Sequence, residues 1–258
     1  MSATLTEIIA YLIANETLPL MFLLGFVVWM LSTAVGGGGP ALYLPALAFV
    51  APVREIAPIT TVTAGIVSLH RVMLFYRHIN WQILLWLLPG SALGATVGVH
   101  IFSSIGEAWL MPLMAAFLLV NSVVMLLPPR QQKILVRHWY FLPAGVFFSG
   151  VSAVVGASGQ GINTLFIGKE IAKEQMIATK AVDAVLVQTI KLVGYIHIAA
   201  IGSHVLLLGV VAAAGAMCGN YVGKWWLSRI TEVYFRRVTA IMLLVSALLI
   251  LYRFFSLD

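Results

Sequence analysis

The sequence predicts an all-α polytopic membrane protein of two inverted-topology repeats, each a re-entrant or broken helix pair plus three transmembrane helices. Three observations lead there. Of 258 residues, 61% are hydrophobic and only 9% charged, too few charges to assemble a water-facing shell. The run Val35-Gly36-Gly37-Gly38-Gly39-Pro40 recurs about 120 residues later as Val155-Gly156-Ala157-Ser158-Gly159-Gln160, and two interrupted apolar segments at matching places mark an internally duplicated membrane fold. Lysine and arginine, finally, divide between the two sides of the membrane in a way that favours one topology.

The apolar stretches fall at about 18–35, 40–52, 57–77, 81–103, 107–127, 141–156, 161–168, 174–200, 204–227 and 232–254. Several reach the roughly 20 residues that a hydrocarbon core of about 30 Å requires. The second half echoes the first: Gly25 matches Gly145, Ser32 matches Ser152, and Arg54-Glu55 matches Lys173-Glu174. Gly90, Gly94 and Gly98 match Gly215, Gly219 and Gly223. A four-residue spacing puts each glycine set on one helix face, which suits close helix packing. The domain reading is a segment 1–17, a first repeat 18–127, a cytoplasmic linker 128–140 and a second repeat 141–255, all in one transmembrane domain.

The path of each interrupted segment decides the topology. If both are hairpins that enter and return, eleven lysines and arginines lie on one side, against Arg54 and Arg253 on the other; if both cross, the split is seven to six. The positive-inside rule favours the hairpins. Each half then has an odd number of crossings, and the second half inserts upside down relative to the first. The alternative is eight crossings with parallel repeats. The first 16 residues carry Glu7 and no basic residue, so they do not read as a cleavable signal peptide.

Half-helices starting after Gly39 and Gly159 would aim free backbone amides and positive dipole ends into the membrane interior. That arrangement suits an anion. The candidate binding set is therefore Gly36, Gly37, Gly38, Gly39 and Pro40 at the first break, with Gly156, Ala157, Ser158, Gly159, Gln160 and Asn163 at the second. The stretch 174–200 adds Thr179, Lys180, Asp183, Gln188 and Lys191 to a helix that should otherwise be apolar, and ionisable groups at such depth face a cavity or each other. At about 1.5 Å per residue, Lys180 sits roughly 9 Å in and Lys191 roughly 25 Å in. Lys180 and Gln188 join the candidate set, with Asp183 as the proton-coupling candidate. The bland alternative is a Lys180–Asp183 ion pair near the headgroups, with Lys191 snorkelling outward. Thr60 of the matching first-half helix is a further candidate, unless its hydroxyl only satisfies its own backbone.

The six histidines show no metal-ligand spacing, and a lone cysteine, Cys218, excludes an internal disulfide. Neither a nucleotide-triphosphatase loop nor a nucleophile and base at recognisable spacing is present, so the chain does not read as an enzyme and needs no cofactor. The formal charge of +6 is scattered over helix ends, which argues against a nucleic-acid partner.

The Gly36-Gly37-Gly38-Gly39-Pro40 break followed by Leu44-Pro45, the second break Gly156-Ala157-Ser158-Gly159-Gln160, and the glycine-spaced helix after each resemble the TauE/SafE family over essentially the whole chain. That resemblance implies a multi-pass permease of the bacterial inner membrane for sulfite or another small sulfur-containing anion, organosulfonates included. Together the residues and the resemblance predict a secondary transporter of a small anion, first of all sulfite, working by alternating access with proton coupling as an option. A passive anion channel and a permease for an organosulfonate or other small organic anion stay open as alternatives. Membrane lipid surrounds such a protein, and its oligomeric state is left open.

Overall fold

Each of the ten apolar stretches carries one helix in the computed structural model, which describes residues 17–35, 39–126, 136–157, 161–169, 171–226 and 232–256. The helices are α1 (Thr17–Val35), α2 (Gly39–Ala48), α3 (Val53–Phe75), α4 (Trp81–Ser104), α5 (Glu107–Leu126), α6 (Phe141–Val155), α7 (Gly161–Gly168), α8 (Lys173–His197), α9 (Ser203–Trp226) and α10 (Glu232–Ser256). Four stretches are long and apolar enough to cross a membrane: Val53–His78, Trp81–Ser104, His138–Val155 and Ser203–Gly223. Helix α8 has the length, at 25 residues, but its charges set it apart. The protein is a multi-pass α-helical membrane protein.

Local chemistry sets several boundaries. Asn80 caps α4 by accepting the Ile83 amide at 3.2 Å, which satisfies one of the donors left free at a helix start. Helix α6 stops at Gly156, whose φ of 101° is left-handed and whose amide donates to the Ser152 carbonyl at 2.9 Å. Glycine is the residue that adopts this backbone without strain.

The glycine stripes mark the tightest seams. A Cβ on Gly90, Gly94 or Gly98 of α4 would strike the backbone carbonyls of Leu142, Val146 and Gly150 on α6. In the same way Gly215, Gly219 and Gly223 of α9 lie on the carbonyls of Phe22, Phe26 and Met30 on α1. Residue numbers rise together along both seams, so each pair runs parallel. The stripe is thus a device for close backbone approach, as its spacing predicts.

Helices α3 and α8 lie between these seams. Gly65 of α3 faces Gln188 of α8, while Arg71, further along α3, acts on Lys180, nearer the start of α8. The two helices therefore run antiparallel. Helix α3 also meets α9, where the Thr63 hydroxyl donates to the Gly209 carbonyl at 3.1 Å. On the other flank α8 meets α4, with Gly194 against Val99. Helix α5 joins α10 through the Ser122 hydroxyl, which donates to the Ala240 carbonyl at 2.8 Å. Trp29, Tyr43, Tyr195, Phe102, Phe141 and Phe166 fill the interior. Leu85, Trp109, Trp225 and Phe255 stand exposed on the outside, as suits a surface whose solvent is lipid.

The second interrupted segment brings its ends together, and the two helices of the first pack against each other. Phe141 at the start of α6 and Phe166 near the end of α7 meet edge-on with centroids 5.0 Å apart, and the Lys169 ammonium reaches the Val136 carbonyl at 3.5 Å. In the first half Gly39 lies against Trp29 and Ser32, and Tyr43 touches both the Trp29 ring and the Met21 sulfur.

Candidate functional site

Helix α8 positions the central polar group. Lys180 donates to the Asn163 side-chain carbonyl of α7, so the short helix after the second break is tied to the lysine that the sequence singles out. Arg71 of α3 and Asp183, one turn beyond Lys180, both act on that ammonium through space. The Ser91 hydroxyl of α4 faces the Asp183 carboxylate, but at a geometry short of a full hydrogen bond, so Ser91 Oγ and Asp183 Oδ1 both lack a bonded partner among the described residues. Thr179 next door accepts the Asn80 amide at 3.0 Å, which fixes α8 to the start of α4.

Three residues apart on a helix permits an ion pair between Lys180 and Asp183, yet the structure spends the ammonium on Asn163 instead. Among the described residues no carboxylate comes within ion-pair distance of Lys180 or Arg71. Two cations and one carboxylate, Asp183, thus share the interior without a direct ion pair among the described residues. Arg71 is half-buried and faces this group.

A second polar group lies at the base of the second break. Lys191 is wholly buried, at 0% exposure, and its ammonium donates to the Ser152 hydroxyl at 3.2 Å. This corrects the snorkelling reading, because the stem turns inward to α6 and not out to the headgroups. One turn later on α8 the Tyr195 hydroxyl donates to the Ala153 carbonyl and also interacts with Thr61 of α3. Gly156 and Ala157 come within the next turn, both buried, with Gly156 against Ala57 of α3.

At the first break Gly39 is buried and Pro40 half-buried. The Ser32 hydroxyl beneath Gly39 has no partner among the described residues. Gly36, Gly37 and Gly38, like Ser158, Gly159 and Gln160, lie outside the described residues. Gln188 is buried, with its side-chain carbonyl unpartnered among the described residues. The Thr60 hydroxyl donates to the Ile56 carbonyl at 2.7 Å, and Thr61 and Thr63 do likewise to Ala57 and Ile59. To donate to an anion, Thr60 would have to give up that bond.

The structure therefore joins Lys180, Asn163 and Asp183 with Arg71 and Ser91, and separately joins the second break with Lys191, Ser152 and Tyr195. Arg71, Lys191, Ser152 and Tyr195 were not in the sequence-derived set. Two signals pointed to them: Lys191 follows Lys180 by 11 residues, three helical turns on one face, and Ser152 repeats Ser32. Among the described residues no group of three or more His, Cys, Asp or Glu side chains is placed to hold a metal ion.

Comparison with known proteins matches residues 21–250 of the chain to the family described as Sulfite exporter TauE/SafE. No curated protein and no solved structure matches the chain.

Proposed function

The chain belongs to the sulfite exporter TauE/SafE family, and from that premise we propose that it is a secondary transporter of a small sulfur-containing oxyanion, with sulfite first among the candidates. The observation that carries this is the Lys180 group. Lys180 is held by Asn163 and flanked by Arg71 and Asp183, and two cations against one carboxylate leave an excess positive charge that is costly inside a membrane protein unless an anion visits it. An oxyanion can accept from both cations and from backbone amides at the break, in charge-assisted bonds.

The proposed architecture is a pair of inverted repeats, 18–127 and 141–255, each opening with a re-entrant hairpin, around a linker at 128–140. Two things support it. The ends of the second interrupted segment lie side by side, the two helices of the first pack against each other, and the pairing is reciprocal, since the first helix of each half sits on the glycine stripe of the other. Under this reading both glycine breaks reach inward, Gly36 to Pro40 from one side and Gly156 to Gln160 from the other, and Gln188 and Thr60 line the space between. The anion passes by alternating access, Asp183 carries a coupled proton, and the protein resides in the bacterial inner membrane.

The deciding experiment is uptake of radiolabelled sulfite into proteoliposomes of the purified chain, with and without an imposed pH gradient, with sulfate and a small organosulfonate as competitors. Saturable uptake that responds to the gradient is expected. Flux that does not saturate and follows voltage alone would replace the transporter with a passive channel. Competition by the organosulfonate without sulfite flux would move the substrate to that class.

A further inference from the structure

Lys191 has no part in the site just proposed, yet among the described residues it is the most deeply buried Lys, Arg, Asp or Glu side chain. It is a lysine at 0% exposure, its only bonded partner among the described residues is the Ser152 hydroxyl, and an ammonium has three protons to place. A single neutral hydroxyl does not offset the desolvation of a buried charge. A lysine kept only for packing could be replaced by an apolar side chain of the same length, and one kept near an interface would extend to the headgroups.

The surroundings are built, not incidental. Lys191 and Tyr195, one turn apart on α8, hold two consecutive residues of α6, Ser152 and Ala153. Those residues lie in the last turn before the left-handed Gly156, whose amide is bonded back to the Ser152 carbonyl. The ammonium is thereby fixed at the root of the second break. Along α8, 11 residues separate Lys180 from Lys191; at about 100° and 1.5 Å per residue they lie within roughly 20° of one face and about 16 Å apart. Gln188, with its unpartnered side-chain carbonyl, sits between them.

We propose that Lys191 and Ser152 form a second anion station, three helical turns from Lys180 on the same face of α8, and that a small oxyanion crosses the protein by passing from one ammonium to the other. The idea rests on the transport reading above and deepens it, because it replaces a single central site with two charged stops. The Lys180 station receives the anion between α3, α7 and α8. The Lys191 station receives it between α6 and α8, at the Ser152 hydroxyl.

The test uses the full-length purified chain and two readouts. In detergent, the thermal unfolding midpoint is followed against sulfite, sulfate and methanesulfonate; in proteoliposomes, radiolabelled sulfite exchange is measured. Lys191→Met is expected to lose part of the anion-dependent rise in midpoint, to keep sulfite affinity at the Lys180 station, and to cut exchange by about tenfold or more. Lys191→Arg, which keeps the charge, is expected to restore most of the exchange, and Ser152→Ala to fall between. Should Lys191→Met match the unsubstituted chain in both readouts, the second station is wrong while the transport reading stands. If the unsubstituted chain exchanges no sulfite but shows an anion-dependent midpoint that Lys191→Met diminishes, the sulfite-transport reading fails, and with it the passage between stations, while anion binding at Lys191 stands. A midpoint that ignores all three anions, in the unsubstituted chain and the variant alike, overturns the station.

Discussion

Replacing Lys180 by methionine removes the charge that the proposed site depends on while keeping a side chain of similar length. An oxyanion seated about 4 Å from the ammonium gains, at an effective dielectric of about 20, about 4 kcal/mol. Not all of that is lost in the variant. Arg71 remains and loses a like-charged neighbour, so it takes up part of the role. A net loss of about 2–3 kcal/mol is expected, which weakens Kd by ~30- to ~150-fold. Asn163→Ala keeps the charge and removes the acceptor that holds it, so it is expected to cost only about 1 kcal/mol, or ~5-fold. Equilibrium binding of radiolabelled sulfite to the purified chain, at low and high salt, measures both. A Kd for Lys180→Met within about threefold of the unsubstituted chain, or an Asn163→Ala defect as large as that of Lys180→Met, would refute the argument.

Three further outcomes are expected. Gly94→Ala should destabilise the chain by about 1–3 kcal/mol through overpacking, because its Cβ lands on the Val146 backbone, whereas Gly106→Ala and Gly202→Ala, with nothing within 4 Å, should be near neutral; thermal unfolding in detergent separates them. Gly156→Ala should cost about 1–3 kcal/mol, since a side chain must adopt φ of 101° beside Ala57, and the same assay would show otherwise by an unchanged midpoint. Asp183→Asn should retain sulfite counterflow but lose accumulation driven by a pH gradient; a variant that still accumulates sulfite would remove Asp183 from the coupling step.

What the sequence made legible follows from what spacing can specify. Apolar length and glycine periodicity fix where helices lie and which face is bare, so the ten helices and the Gly90-Gly94-Gly98 stripe were readable. What the stripe meets was not, because its partner, α6, lies in the other half and only the folded chain brings Leu142, Val146 and Gly150 onto it. Lys180 illustrates the same limit. Its three-residue distance from Asp183 permits a pair, but Asn163, from a different helix, took the ammonium. Counting the rise along α8 put Lys191 at a depth from which a lysine stem can reach the headgroups. Its direction was decided by α6, a helix of 15 residues that presents Ser152 within hydrogen-bonding reach of the ammonium.

The two breaks are related in sequence but differ in chemistry, and the difference bears on how an anion would move. Ser32 and Ser152 occupy matching places, one turn before a glycine-rich interruption. Ser152 carries the Lys191 ammonium, while Ser32 is fully buried with a hydroxyl unpartnered among the described residues. On α3 the counterpart threonines close onto their own backbone. Both proposed charge stops therefore belong to one helix of the second half, and the first half contributes neutral groups together with Arg71. A movement of the helices around α8 would leave the spacing between Lys180 and Lys191 unchanged and alter only what covers each. On the proposed reading α8 is the fixed track, and access is governed by the helices that slide over it, which makes the α3–α8 contact between Gly65 and Gln188 the seam where a cross-link should arrest exchange without abolishing binding.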